Sequence, residues 1–153
     1  MKISVMGIEY NHLLSGKALA EMGNEVTYVS KDNKRIDNIK RGYYNADEAM
    51  VIKKMSSKES IDFTTNLKEA LSNTNMCFIA EGITDESEEN MKKVLNTAKM
   101  VGEYMNNHMF IIDRSVDSQS RVGKIKETIQ EELKKRNKNI TFEVIANPNF
   151  LRA

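Results

Sequence analysis

The chain has 153 residues, enough for one globular domain with a sizeable core. Hydrophobic residues make up 40% and charged residues 29%, which excludes a disordered chain, and the net charge of +1 argues against a general polyanion binder. The single cysteine excludes an internal disulfide, and no apolar run reaches the ~18 residues of a membrane span, so we expect a cytoplasmic protein.

Short apolar runs alternate with longer amphipathic stretches along the whole chain. The predicted strands are Ile3–Met6, Val26–Val29, Ile61–Thr64, Met76–Ala80, Met109–Ile112 and Thr141–Ile145. The predicted helices are Leu13–Met22, Asp32–Arg41, Ala46–Met55, a short one capped by Thr65 and ending at Leu71, Glu86–Met105 and Val122–Arg136. Apolar strands alternating with helices predict an α/β fold, a doubly wound, mostly parallel six-stranded sheet with helices on both faces. We expect it to form a single domain over residues 1–153.

Ligands of such sheets bind beyond the carboxyl ends of the strands, at the switch point. The segments that follow the strands are therefore the candidate binding loops. They comprise residues 7–12, 30–32, 81–85, 113–120 and 146–153. The chain has only seven glycines and one proline, so few of these loops carry the residues that tight turns require.

Five stretches of the chain carry a resemblance to one enzyme family. They are 1–27, with Gly7 after the first strand, and 63–70, 77–82, 129–134 and 146–152. Their order resembles the N-terminal NAD-binding domain of the UDP-glucose/GDP-mannose dehydrogenase family (UDP-glucose 6-dehydrogenase-like). The resemblance implies a Rossmann-like dinucleotide-binding domain and NAD-dependent oxidation of a nucleotide sugar to the uronate. Family members continue into a central helical domain and a sugar-binding domain with the nucleophilic cysteine. Here the chain ends where the central domain would begin, so we expect no catalytic residue in it.

The phosphate loop departs from the family pattern Gly-x-Gly-x-x-Gly. Gly7 matches the first glycine, but Glu9 and His12 stand at the second and third. The pattern needs glycine for a tight turn, for close approach of the pyrophosphate and for packing of helix on strand. A side chain at position 9 obstructs the pyrophosphate and its carboxylate repels it, which predicts weak or absent NAD binding.

Other family positions depart in the same direction. Ser30 replaces the acid that holds the adenosine ribose, and Lys31, Lys34 and Arg35 follow it. This leaves a 2′-phosphate, as in NADP, as the less favoured alternative to NAD. The remaining departures include Asp117, which with Ser118 or Ser120 as cap could begin a helical turn, and Asn149, an amide that cannot act as a general base.

The resemblance implies cofactor contacts at Gly7, Tyr10, Gly82 and Ser115. No metal site is expected, because the two histidines lack clustered ligands. The partners expected are a dinucleotide or a nucleotide sugar, and neither a membrane nor nucleic acid; a homo-oligomer or pairing with a related subunit stays open. The alternative function is a divergent, non-catalytic interaction or regulatory module that kept the fold and lost the cofactor.

Two further residue groups have structural interpretations. Cys77 lies in an apolar run and is expected to be a buried small hydrophobe. The basic run 134–138 is expected to be a solvated helix end, where positive charge favours the helix dipole.

Overall fold

The computed structural model describes residues 1–43, 45–46, 48–49, 61–79, 87–113 and 121–146. Its strands are β1 (Lys2–Met6), β2 (Glu25–Val29), β3 (Ile61–Thr64), β4 (Met76–Phe78), β5 (Met109–Asp113) and β6 (Phe142–Ala146). Its helices are α1 (Tyr10–Glu21), α2 (Asn33–Lys40), α3 (Leu67–Ser72), α4 (Glu88–Tyr104) and α5 (Val122–Lys135). Of the predicted helix 46–55, residues 46, 48 and 49 are helical and the others lie outside the described residues.

The six strands form one parallel sheet in the order β3-β2-β1-β4-β5-β6. β1 lies at the centre, with Ser4 opposite Thr27 of β2 on one side and opposite Cys77 of β4 on the other. The chain leaves β1 toward β2 and later returns to its other side at β4, so the carboxyl ends of β1 and β4 form the topological switch point. The predicted doubly wound α/β fold is confirmed.

Alternate residues of the strands enter two separate cores, one on each face of the sheet. Ile3 and Val5 of β1 pack with α1 and α2, whereas Met6 packs with α3, α4 and α5. This alternation explains why the strands are apolar on both faces. Cys77 is fully buried, as predicted, in the core formed with α3, α4 and α5, and burial raises the pKa of its thiol.

Helix ends follow local capping chemistry, with two differences from the sequence prediction. Gly23 and Gly42 have φ angles of +93° and +86°, the left-handed conformation in which glycine ends a helix. α3 is capped by Asn66 rather than Thr65, because the Asn66 side chain accepts a hydrogen bond from Glu69 N–H at 3.1 Å. α1 begins at Tyr10, three residues before the predicted start.

The basic run at the end of α5 is only partly the solvated helix end that was predicted. Lys134 and Lys138 are exposed, but Arg136 folds back onto the end of α4. Its guanidinium donates hydrogen bonds to the carbonyl oxygens of Gly102 and Met105, at 2.8 and 2.9 Å. Arg136 thus satisfies carbonyl groups that a helix end leaves without partners, so it is a structural residue.

Candidate functional site

The turn after β1 starts the site. Gly7 follows β1 directly and has a φ angle of +143°, which an L side chain rarely adopts. Its N–H donates to the Val29 carbonyl oxygen at 2.9 Å, which ties the turn to the end of β2. Ile8 is buried behind it, and α1 begins two residues later. A glycine turn between a parallel strand and a helix N-terminus is the general geometry of a phosphate-binding loop.

Glu9 and His12 close this loop on itself. Glu9 is the N-cap of α1, and its N–H donates to His12 Nδ1 at 3.1 Å. The Glu9 side chain in turn faces the backbone N–H of His12, so the two residues form a capping box. Of these two contacts, the one from Glu9 N–H to the His12 ring is the better formed. The carboxylate therefore lies at the helix N-terminus, the position where a bound phosphate would interact with backbone N–H groups.

The His12 ring lies against Gly7, on the side where a side chain at position 7 would stand. A Cβ at Gly7 would lie 2.7 Å from His12 Cδ2 and still closer to the other edge of the ring. Burial lowers the pKa of His12, and the neighbouring Glu9 carboxylate partly opposes that shift. A neutral imidazole is also what the hydrogen bond requires, because only an unprotonated Nδ1 can accept from Glu9 N–H.

The close approach of helix to strand is supplied by a different glycine from the one the family pattern uses. A Cβ at Gly16 would overlap the Tyr28 ring, with Tyr28 Cε1 at 2.7 Å. Tyr28 is fully buried, stacks on Phe63 and donates its hydroxyl to the Leu13 carbonyl oxygen at 2.7 Å. Gly16 lies one helical turn after His12 on the same face. Its role was not predicted from the sequence, because the family pattern ends at position 12.

Ser30 and Asp32, which follow β2, are hydrogen-bonded to each other, to the end of β3 and to the start of α2. The Ser30 N–H donates to the Thr64 carbonyl oxygen at 3.2 Å, and its hydroxyl accepts from Asp32 N–H at 3.1 Å. Asp32 in turn caps α2 by accepting from Arg35 N–H at 3.0 Å. Sequence reasoning did not anticipate that Asp32 would be committed to this helix cap.

The Arg35 side chain reaches back from α2 to the loop after β1. Its Nη1 donates to Glu48 Oε1 at 3.2 Å, its Nη2 forms an ion pair with the other carboxylate oxygen, and Nη2 lies 3.5 Å from the Ile8 carbonyl oxygen. Glu48 is only 2% exposed and also accepts from Asn45 N–H at 3.1 Å. The guanidinium is thus fixed beside the carboxyl ends of β1 and β2. This pairing was not predicted, since no local pattern links positions 35 and 48.

A buried ion pair marks the end of β5. Arg121 Nε lies 3.3 Å from Asp113 Oδ2, and the two side chains are 1% and 0% exposed. Within the described residues, Arg121 Nη2 is buried without a hydrogen-bond partner. Arg121 is also the N-cap residue of α5, which has no side-chain cap. The pair fastens the start of α5 to the sheet, and it too was missed.

Of the predicted cofactor residues, the structure places two. Gly7 forms the turn after β1, and Tyr10 is the first residue of α1 with 44% of its surface exposed. Gly82 and Ser115 lie outside the described residues, as do the family departures at positions 117, 118, 120 and 149. Which predicted residues contact a cofactor therefore stays a prediction.

Neither a metal centre nor a membrane span is seen in the described part of the chain. No three histidine, cysteine or acidic side chains there come close enough to share a metal ion. His108 instead pairs with Thr141 Oγ1 at 2.7 Å and meets Phe110 edge-on. None of the described helices combines the length and apolarity that crossing a membrane would take.

A parallel sheet with a switch point, a glycine turn after β1 and a helix N-terminus over that turn define a Rossmann-type dinucleotide-binding domain. The family model for the NAD-binding domain of the UDP-glucose/GDP-mannose dehydrogenase family matches residues 1–153, and the chain belongs to this family.

Comparison with individual proteins gives the same result. The chain is 30% identical to UDP-glucose 6-dehydrogenase TuaD of Bacillus subtilis (strain 168), over 99% of this chain and 33% of that protein. It is 26% identical to UDP-glucose 6-dehydrogenase of Pseudomonas aeruginosa, over 99% of this chain and 35% of that protein. The chain thus spans about a third of the length of the curated relatives it matches.

Solved structures support the fold. A UDP-glucose dehydrogenase from the archaeon Pyrobaculum islandicum superimposes with a TM-score of 0.78 at 20% identity, over 98% of this chain and 36% of that chain. A GDP-mannose dehydrogenase from Pseudomonas aeruginosa, in a ternary complex, has a TM-score of 0.75 at 19% identity, over 95% and 35%.

The residues at the phosphate loop do not fit an incoming pyrophosphate as they stand. The His12 ring covers Gly7, and the Glu9 carboxylate faces the helix N-terminus. Both side chains would have to move before phosphate oxygens could reach the backbone N–H groups. The family assignment and the local chemistry of the loop therefore disagree.

Proposed function

We propose that this chain is the nicotinamide-dinucleotide-binding domain of a nucleotide-sugar dehydrogenase lineage in which cofactor binding has become weak or absent. The observation that carries the proposal is the capping box of Glu9 and His12 over Gly7. It supplies from within the chain the negative charge that a helix N-terminus favours. A dinucleotide must displace that contact, and this cost is subtracted from its binding free energy.

Catalysis by the chain alone is not proposed. The chain spans about a third of the length of its relatives, and among the described residues we assign no nucleophile: the Cys77 thiol is buried and held in its protonated form. Oxidation of a nucleotide sugar would require residues from outside this chain, supplied by further sequence or by a related subunit.

The second candidate is an interaction or regulatory module, and the same closed loop favours it. A loop that satisfies its own polar groups no longer needs a ligand to be stable. The fold then persists as a scaffold, because the core on one face of the sheet contains no residue of this loop, and the core on the other face takes only the buried Ile8 and no exposed loop side chain from it.

Titration with NADH and NADPH tests the two candidates. We expect millimolar dissociation constants for the native chain, and tighter binding when positions 9 and 12 are both glycine. Micromolar binding by the native chain would contradict the closed loop. Absence of binding by the native chain and by the double variant at millimolar cofactor would contradict the cofactor role and support the interaction module.

A further inference from the structure

A basic side chain, that of Arg35, lies at the carboxyl end of β2, beside the loop that Glu9 and His12 close but outside it. In parallel sheets of this type, the adenosine half of a dinucleotide lies beyond the carboxyl ends of β1 and β2. Arg35 spans that edge, because it starts on α2 and its Nη2 lies 3.5 Å from the Ile8 carbonyl oxygen in the loop after β1. The side chain of Arg35 is 27% exposed, so solvent reaches it.

Glu48 fixes the Arg35 guanidinium without using all of its donors. The carboxylate engages Nη1 and Nη2. Among the described residues, nothing accepts from Arg35 Nε. A guanidinium has five N–H donors in a planar fork, so it can hold one carboxylate and still present hydrogen bonds to a phosphate.

Two carboxylates of the described residues at this edge, those of Asp32 and Glu48, already accept hydrogen bonds from Arg35. Asp32 accepts from Arg35 N–H as the cap of α2, and Glu48 accepts from Arg35 and from the Asn45 backbone. Lys31, just before the cap residue, and Lys34, in the first turn of α2, are both exposed. Ser30 stands where an acid would hold a ribose 2′-hydroxyl, so the repulsion that such an acid exerts on a 2′-phosphate is missing.

We propose that the β2 edge is a site for the phosphate of an adenosine 2′-phosphate, with Arg35 as its ligand and Glu48 as the residue that positions Arg35. The inference rests on the proposed dinucleotide role and names the form of the nucleotide, the 2′-phosphorylated one. The sequence alone favoured NAD over a nucleotide with a 2′-phosphate, and this inference reverses that preference. The reason is that Arg35 is held at the edge of the sheet rather than dispersed in solvent, which reduces the entropy lost when it binds an anion.

Binding of adenosine 2′-monophosphate and adenosine 5′-monophosphate to the intact chain tests this inference. The two probes have the same base and charge, but only the second places its phosphate near Glu9. We expect the 2′-isomer to bind about tenfold more tightly, the contribution of one charge-assisted phosphate contact. Equal affinities for the two isomers, or tighter binding of the 5′-isomer, would overturn the inference. Absence of binding of either isomer at about 10 mM, on the order of the dissociation constant of a weak site, would also overturn it.

Two substitutions assign the effect to Arg35. Arg35→Gln should make the affinities for the two isomers equal. Arg35→Lys keeps a cation beside the buried Glu48 but loses the planar guanidinium, so it should lower the logarithm of the affinity ratio by about half. Arg41→Gln is the matched control, since Arg41 is exposed at the other end of α2. An unchanged ratio in folded Arg35→Lys, or an equal loss in Arg41→Gln, would contradict the assignment.

The experiment also separates this inference from the closed loop. Glycine at positions 9 and 12 should tighten the 5′-isomer and leave the 2′-isomer unchanged. If the 2′-isomer binds through Arg35 while NADPH and NADH never bind, the β2 site stands and the cofactor role fails. If dinucleotides bind without a preference for the 2′-phosphate, the cofactor role stands and the β2 site fails.

Discussion

Replacing Glu9 and His12 together by glycine gives the loop the two glycines that the family pattern has at those positions. The change removes the carboxylate from the N-terminus of α1 and the imidazole from the face of Gly7. We expect NADH to bind more tightly to the double variant than to the native chain.

The size of the gain follows from the exposure of Glu9. A charge pair at 4 Å in an effective dielectric of 20 would be worth about 4 kcal/mol, but an exposed carboxylate is screened to about 1 kcal/mol. Release of the helix N-terminus and of the Gly7 face adds about 1 kcal/mol more. The total corresponds to a gain in affinity of roughly 10- to 100-fold.

The same change lowers stability by a modest amount. Glycine at an N-cap costs a few tenths of a kcal/mol, and glycine in the first turn of a helix costs about 1 kcal/mol. For a chain of this size we expect the melting temperature to fall by about 3 to 5 °C. A much larger fall would show that the two side chains hold more than the loop.

Isothermal titration with NADH, with the melting temperature of each variant measured alongside, is the assay. Glu9→Gln separates charge from shape, because it removes the charge and keeps the side chain. Glu21→Gly is the matched control, since it removes an exposed carboxylate from the far end of the same helix. A gain below threefold in the double variant, or an equal gain in Glu21→Gly, would refute the reasoning.

Three further predictions concern stability. Gly16→Ala should destabilise the fold by about 1 to 3 kcal/mol, because the added Cβ overlaps the buried Tyr28 ring. Gly123→Ala, which has open space around its Cβ, should stabilise the fold by about 0.5 kcal/mol. Urea unfolding measures both changes, and equal effects would refute the close packing of Gly16 on Tyr28. The lowered pKa of His12 means that the folded state binds its proton less readily than the unfolded state, so the contribution is present above pH 6.5 and is lost as the pH falls below that value. Unfolding curves between pH 7.5 and 5 should show a steeper loss for the native chain than for His12→Asn, and parallel curves would contradict this. Arg121→Met should cost about 3 kcal/mol because it breaks an ion pair in which both side chains are buried. Lys135→Met should cost under about 1 kcal/mol, because the Lys135 side chain is exposed although its partner Glu132 is buried. Similar losses in urea would contradict the difference.

The fold was predictable because its signals are local and repeated. The run Ile61–Thr64 has the predicted bounds, and the other strands differ by at most two residues at either end. Strand periodicity and helix periodicity recur over several residues, so a single misread residue changes little. Gly23 and Gly42 also marked helix ends correctly, because a left-handed φ angle is a local requirement.

The site was predictable only in its position. The absence of glycine at positions 9 and 12 identified an altered loop, but not that each of the two side chains meets the backbone N–H of the other residue. Glutamate is not a preferred N-cap and histidine is not the usual partner at the third helical position, so no capping signal is visible in the sequence. The helix consequently begins three residues earlier than its apolar pattern predicts.

Pairs of residues distant in sequence could not be predicted from one chain. Arg35 joins Glu48 across a stretch that includes the end of α2, and Asp113 at the end of β5 joins Arg121 at the start of α5. Such pairs depend on how the elements pack, and neither residue of a pair carries a local sign of its partner. The Arg35–Glu48 pair also carries the charge arrangement that distinguishes the β2 edge from the phosphate loop.

The nitrogen NMR spectrum of the His12 ring tests the closed loop most directly. At pH 8 we predict a single neutral tautomer, protonated at Nε2, with Nδ1 accepting the hydrogen bond from the Glu9 amide, and a pKa below 6.5 on titration. Glu9→Gly retains the donating amide but lacks the side chain that faces His12. In this variant neither the preference of the ring for one tautomer nor the protection of the residue 9 amide from hydrogen exchange should increase. A ring protonated at Nδ1, or one that averages both tautomers and titrates at its ordinary pKa, would contradict the claim that the loop is closed by its own side chains.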